Sequence, residues 1–149
     1  MRFDFPPADL PEGLNGLRDE VRAFLRESVE AGRFVPRCSG WMLFDPAFSR
    51  LCGERGYIGM TWPKRYGGHE RSMIERYVVI EEMLAAGAPV GAHWIADRQS
   101  GPQIINNGTD ALKEKVLARI ARGEAYFAIG MSEPDAGSDL SSIRSRGRR

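Results

Sequence analysis

Gly123-Glu124-Ala125-Tyr126-Phe127-Ala128-Ile129-Gly130-Met131-Ser132-Glu133-Pro134-Asp135-Ala136-Gly137-Ser138-Asp139-Leu140 is where the residue pattern of this chain changes. Residues 126–131 form a short apolar run with two aromatic residues and read as a strand. Residues 132–139 form a polar turn, and Leu140 onward reads as the start of another strand, with Ile143 as its clear apolar position. Before Gly123 the apolar spacing is helical. The expected fold is therefore mainly α. A helical bundle domain over residues 1–123 is followed by the first strands of a truncated β-barrel domain over residues 124–149.

Reading back from Gly123 supports that division. Gly123 suits the position after a helix C-terminus. The helix before it has Thr109 as N-cap and Leu112, Val116, Leu117 and Ile120 on one side. A further helical stretch is expected over residues 91–107, interrupted near Gly101-Pro102. A helix over about 70–86 carries Met73, Ile74, Tyr77, Val78, Val79, Ile80, Met83 and Leu84. That face is wide enough to predict a central, well-buried helix. Glycines 56, 59, 67 and 68, with Pro63, punctuate a loop over residues 56–68 whose Tyr57, Trp62 and Tyr66 suggest a packed plug. Asp45-Pro46 reads as N-cap and first position of a short helix ending near Gly56. The first long helix is expected over about 10–32, with Leu14, Leu17, Val21, Phe24, Leu25 and Val29 at spacings of three and four. Pro6-Pro7 places an extended arm before it.

Composition narrows the function classes. The chain has 149 residues, 42% hydrophobic and 28% charged, as in a soluble globular protein. No apolar run approaches the roughly 20 residues needed to span a bilayer. Residues 1–7 contain no apolar signal-peptide core. The two cysteines, Cys38 and Cys52, lack C-x-x-C spacing and provide no disulfide framework, so a cytoplasmic location is expected. The net charge of +1 conceals an asymmetry. Arg144, Arg146, Arg148 and Arg149 crowd the end, and without them 17 basic residues face 20 acidic ones. A basic end can be a nucleic-acid tail. Here no aromatic residue interleaves the arginines and the body is acidic, so an interrupted strand is the better reading and no nucleic-acid partner is expected.

The 126–139 segment is the best candidate for chemistry. A strand leading into a turn with Pro134, Gly137 and two hydroxyl residues can aim N–H and O–H donors at an anionic or carbonyl-rich ligand. The spacing alone fits a plain surface turn better, and it matches neither a Walker loop nor G-x-G-x-x-G. His69 and His93 lie 24 residues apart in sequence with no helical partner at i+4, so no metal site is expected. His93 and Trp94 could line a ligand pocket, but core packing fits them better.

Residues 127–140 resemble the flavin-loop signature of the acyl-CoA dehydrogenase family, an apolar strand followed by T/S-E-P-x-A-G-S-D. Two further segments agree in order. Thr61-Trp62-Pro63-Lys64-Arg65-Tyr66-Gly67-Gly68 resembles the family's W-P-x-x-Y-G-G loop. Gly108-Thr109, then Leu112-Lys113-Glu114-Lys115 and Gly123-Glu124, resembles its G-T-x-x-x-K helix. The resemblance implies a helical N-terminal domain, a β-barrel-like middle domain and a C-terminal four-helix bundle, with FAD between the last two. By that carry-over Ile129, Met131, Ser132, Gly137 and Ser138 belong to a partial FAD site. Met131 and Ser132 would meet the pyrimidine edge, and Ser138 would lie near phosphate and the pantetheine of acyl-CoA. Ser132 stands where threonine is commoner but keeps the hydroxyl.

The same resemblance implies FAD-dependent α,β-desaturation of an acyl-CoA thioester, reoxidation by an electron-transfer flavoprotein, and a homo- or hetero-oligomer. The family's catalytic carboxylate lies in the C-terminal bundle, so no catalytic residue is assigned here. This chain alone is expected to be inactive. The alternative is a non-catalytic truncated subunit or helical assembly module of such an enzyme.

Overall fold

The computed structural model describes Pro11 and residues 13–147. The expected arm over residues 1–7, the first residues of the first helix, and Arg148 and Arg149 lie outside the described residues.

The first helix, α1, runs Leu14–Glu30 and buries Leu17, Val21, Phe24, Leu25 and Ser28 on one face. Asp45 caps α2 (Pro46–Glu54), its Oδ1 accepting the Phe48 N–H at 2.9 Å, while proline takes the first turn where its missing N–H costs nothing. A reciprocal capping box fixes the start of α3 (Met73–Ala85). The Ser72 hydroxyl accepts from the Glu75 N–H, and the Glu75 carboxylate accepts from the Ser72 N–H. The sequence pattern placed this start three residues too early.

The helical stretch over 91–107 is interrupted as expected. A short α4 (Gly91–Ile95) widens into a π-helical turn (Ala96–Ser100) before α5 (Gly101–Asn107). Pro102 supplies the cause, because its ring cannot accept an uninterrupted α ladder on its N-terminal side. The last helix, α6 (Asp110–Ala121), starts at Thr109, whose Oγ1 accepts the Leu112 N–H at 3.3 Å. It ends where Gly123, at φ +69°, turns the chain. The N–H of Gly123 donates to Ile120 and that of Glu124 to Arg119. A Cβ at Gly123 would also lie 2.2 Å from the Ser49 carbonyl oxygen, so close approach and dihedral both require glycine.

One core joins these helices. α1 packs chiefly on α3, and α5 on α6. Val21 and Phe24, Phe48 and Cys52, Val78 and Val79, and Leu117 and Ile120 meet in it. The 56–68 loop is the plug its composition predicts: Tyr57, Ile58, Met60 and Trp62 are all buried. Each such side chain contributes about 1.5–3 kcal/mol by leaving water.

Two expectations need correction. Helix α3 is not buried around its whole apolar face. Val78, Val79 and Met83 face the core, while Met73, Ile74, Tyr77 and Leu84 are exposed. Nor do the expected strands form: among the described residues there is no strand, only an isolated bridge between Glu133 and Ala136. Residues 124–132 take no regular secondary structure, since a ladder needs a second strand and none lies beside them among the described residues. Leu140–Ser142 forms a 3-10 turn rather than a strand, because the Ser142 N–H and hydroxyl both donate to the Asp139 carbonyl.

Candidate functional site

After Gly123 the chain leaves the helical core. Ala125 and Phe127 still pack on it, and Tyr126 stacks edge-on against Phe44 with ring centroids 5.2 Å apart. Beyond Phe127 most side chains turn to solvent, Ala136 being the buried exception. Ile129 and Met131 are 46% and 60% exposed, and Ser132, Gly137 and Ser138 are exposed as well.

The turn itself is a two-residue hairpin. The Glu133 N–H donates to the Ala136 carbonyl at 2.8 Å and the Ala136 N–H returns to Glu133 at 3.1 Å, with Pro134 and Asp135 at the tip. Ser132 and Ser138 therefore flank one tight turn. A Cβ at Gly137 would meet nothing within 4 Å, so the backbone there faces open space. Among the described residues the N–H groups of Met131, Ser132 and Ser138 donate to no protein acceptor, and neither serine hydroxyl is engaged. This is a donor set suited to carbonyl and phosphate oxygens.

The carboxylates nearby have structural duties. Glu133 accepts from the backbone N–H groups of Arg144 and Ser145. Asp139 accepts from the Ser141 hydroxyl. The donors of Ser145, side chain and backbone, and the Arg144 N–H hold the Glu133 carboxyl below the usual carboxylate range.

A second polar group lies inside the helical core. His93 Nδ1 and Ser49 Oγ are 2.9 Å apart and both residues are buried. One turn on, Asp97 accepts from the Gly59 N–H at 2.7 Å and from Arg76 Nη2 at 2.8 Å. A serine, histidine and aspartate in sequence order suggest hydrolysis, but Ser49 has no exposed surface for a substrate to reach. These residues brace α2, α4, the π turn and the 56–68 plug. Hydropathy patterning missed Asp97 and Arg76, whose only sequence signal is an acid one turn after a histidine. His93 is a core residue, and His69 lies apart from it against Gly56. No group of three or more His, Cys, Asp or Glu among the described residues is placed to hold a metal ion. Cys38 is exposed and Cys52 buried, and burial holds the Cys52 thiol protonated.

Burial also pushes the His93 imidazole down to about 4, against a small opposing pull from Asp97. Below pH 6.5 the unfolded chain takes up a proton that the folded chain refuses until about pH 4. Stability present above pH 6.5 is therefore lost as pH falls. Between pH 7 and pH 5 the loss from this group is about 2 kcal/mol. Urea midpoints at the two pH values should differ by correspondingly less in His93→Asn. An unchanged pH slope in that variant would refute the assignment.

An open groove of about 520 Å³ lies between α1 and α3 and includes Arg22, Leu25, Val29, Pro36 and Glu82. It shares no residue with the 131–138 turn. Among the described residues no helix is long and apolar enough to cross a membrane.

Residues 11–124 match the sequence model of a family described as acyl-CoA dehydrogenase, N-terminal domain. The chain is 41% identical over 92 residues to acyl-CoA dehydrogenase FadE26 of Mycobacterium tuberculosis, covering 62% of this chain and 22% of that protein. It is 32% identical to (2S)-methylsuccinyl-CoA dehydrogenase of Cereibacter sphaeroides, covering 97% of this chain and 26% of that one. Among solved structures it is similar to the Tcur3481-Tcur3483 steroid ACAD, with a TM-score of 0.78 and 33% identity over 93% of this chain and 36% of that chain. It is also similar to a chain of the ChsE4-ChsE5 complex from Mycobacterium tuberculosis, with a TM-score of 0.72 and 32% identity over 97% and 35% of the two chains. The matches thus span about a quarter of the curated relatives and about a third of the solved chains.

Proposed function

The chain belongs to the acyl-CoA dehydrogenase family, and from that premise we propose that it supplies one wall of a flavin site in an enzyme that desaturates an acyl-CoA thioester. The observation that carries this reading is the unspent donor set of the exposed turn over residues 131–138. When bound there, FAD would accept the hydride leaving the thioester's β-carbon.

The residues of this chain act by holding and polarising. The Met131 N–H and the Ser132 N–H and hydroxyl would donate toward the pyrimidine edge of a bound flavin and so favour its negatively charged, reduced form. Donors already in place cost little reorganisation at that moment. Ile129 supports the approach to the turn. Gly137 lets the backbone come close, and Ser138 donates toward phosphate and the pantetheine arm of the substrate. No acid here removes the α-proton in this reading, since Glu133 and Asp139 are engaged in shaping the turn.

The activity belongs to an assembly larger than these residues, a homo- or hetero-oligomer reoxidised by an electron-transfer flavoprotein. The exposed apolar residues Met73, Ile74, Tyr77 and Leu84 favour such an assembly, in which further protein covers α3. The free cysteines suit a reducing cytoplasm.

With one wall of the site, the 149-residue chain is expected to lose added FAD on dialysis. Absorbance of the dialysed protein checks this, and a stoichiometric yellow protein would overturn the one-wall reading.

A further inference from the structure

We propose that Glu133 is the positioning residue of this turn: its carboxylate closes residues 133–145 into a ring and so fixes the backbone that presents Met131, Ser132 and Ser138. What the turn presents those groups to rests on the flavin reading above. The closure itself needs no flavin.

The geometry begins with the hairpin. Its paired bonds between Glu133 and Ala136 set the direction in which the Glu133 side chain leaves the turn. Ala136 is 2% exposed, alone among the described residues after Gly123 in being buried, which anchors the hairpin's second arm. Next, Asp139 turns the chain back. Its carbonyl takes the Ser142 N–H and hydroxyl, and its carboxylate takes the Ser141 hydroxyl. The returning backbone then reaches Glu133. Oε2 accepts the Arg144 N–H at 2.9 Å and Oε1 accepts the Ser145 N–H at 2.8 Å.

Each carboxylate oxygen has its own donor, which makes the closure specific for a carboxylate. Glutamine would keep one acceptor and set an amide N–H against a backbone N–H. Hydrogen bonds to an ionised acceptor are also about twice as strong as neutral ones. Ser132 precedes the ring's closing residue and Ser138 lies within the ring. Both therefore lose their fixed backbone when the ring opens.

The test compares amide exchange and chemical shifts in the isotopically labelled 149-residue chain and its Glu133→Gln variant, without flavin. The Arg144 and Ser145 amides should exchange about tenfold faster or more in the variant. The Ser132 and Ser138 amides should shift toward disordered positions, while those of α1 to α6 stay unchanged. In the unmodified chain the Arg144 and Ser145 amide protons should follow the titration of a carboxyl below its usual range. Equal exchange in both chains, no such titration, or unmoved Ser132 and Ser138 amides would each overturn the proposal. Because no flavin is present, these results are independent of whether the turn contacts FAD. Failure to find that contact with the ring intact would remove the flavin reading alone.

Discussion

Replacing Asp97 by alanine is expected to destabilise the chain by about 4 kcal/mol, the scale of breaking a buried ion pair from one side. The carboxylate is the acceptor for two donors that have left water. One is the Gly59 N–H inside the plug and the other is Nη2 of Arg76, whose side chain is only 19% exposed. Alanine removes both bonds together and leaves a mostly buried guanidinium unpaired. Asparagine should cost about half as much, since its oxygen still accepts from Gly59 while its amide faces the cation. Urea denaturation reads this as a lower midpoint with an unchanged slope. A change within about 0.5 kcal/mol, the range of ordinary surface substitutions, would mean that the plug is held some other way.

Gly101→Ala is expected to cost about 3 kcal/mol, although alanine is the better helix former by about 1 kcal/mol. Close approach decides the sign. A Cβ at Gly101 would lie 2.1 Å from Cζ2 and 2.3 Å from Cη2 of Trp62, and 2.8 Å from the Ala96 carbonyl oxygen. Trp62 is 3% exposed, so its ring has no free space to enter without disturbing the core. The mechanism requires coupling. In a Trp62→Leu background the same substitution should cost about 1 kcal/mol or less, giving an interaction energy of about 2 kcal/mol. Equal costs in both backgrounds would exclude the ring as the obstacle.

How much of this was legible in the sequence depended on whether the signal was local. Caps at Asp45 and Thr109, the stop at Gly123 and the interruption at Gly101-Pro102 follow from dihedral limits and spare donors within a few residues, and all are present. The capping box at Ser72 and Glu75 was equally local, but the apolar pattern was extended back past it. Apolar width at α3 was misread for a different reason. Periodicity marks which residues avoid water, not whether their cover lies in this chain, and Met73, Tyr77 and Leu84 find none among the described residues.

The strand expectation fails for a related reason. Residues 126–131 have β-type composition, yet pairing is a property of two segments. The Asp97–Arg76 and His93–Ser49 contacts join residues 21 and 44 positions apart in sequence, which no helical period marks. At the candidate site, the motif located the turn, but its shape depends on Glu133 reaching 12 residues forward to Ser145.

The proposal that residues 131–138 meet the flavin is tested most directly by titrating the isotopically labelled 149-residue chain with FAD and following every backbone amide. Weak, fast-exchange binding is expected, with the largest shifts at Met131, Ser132 and Ser138 and none in the groove between α1 and α3. Shifts centred on that groove, or no movement of the turn amides at millimolar FAD, would contradict it.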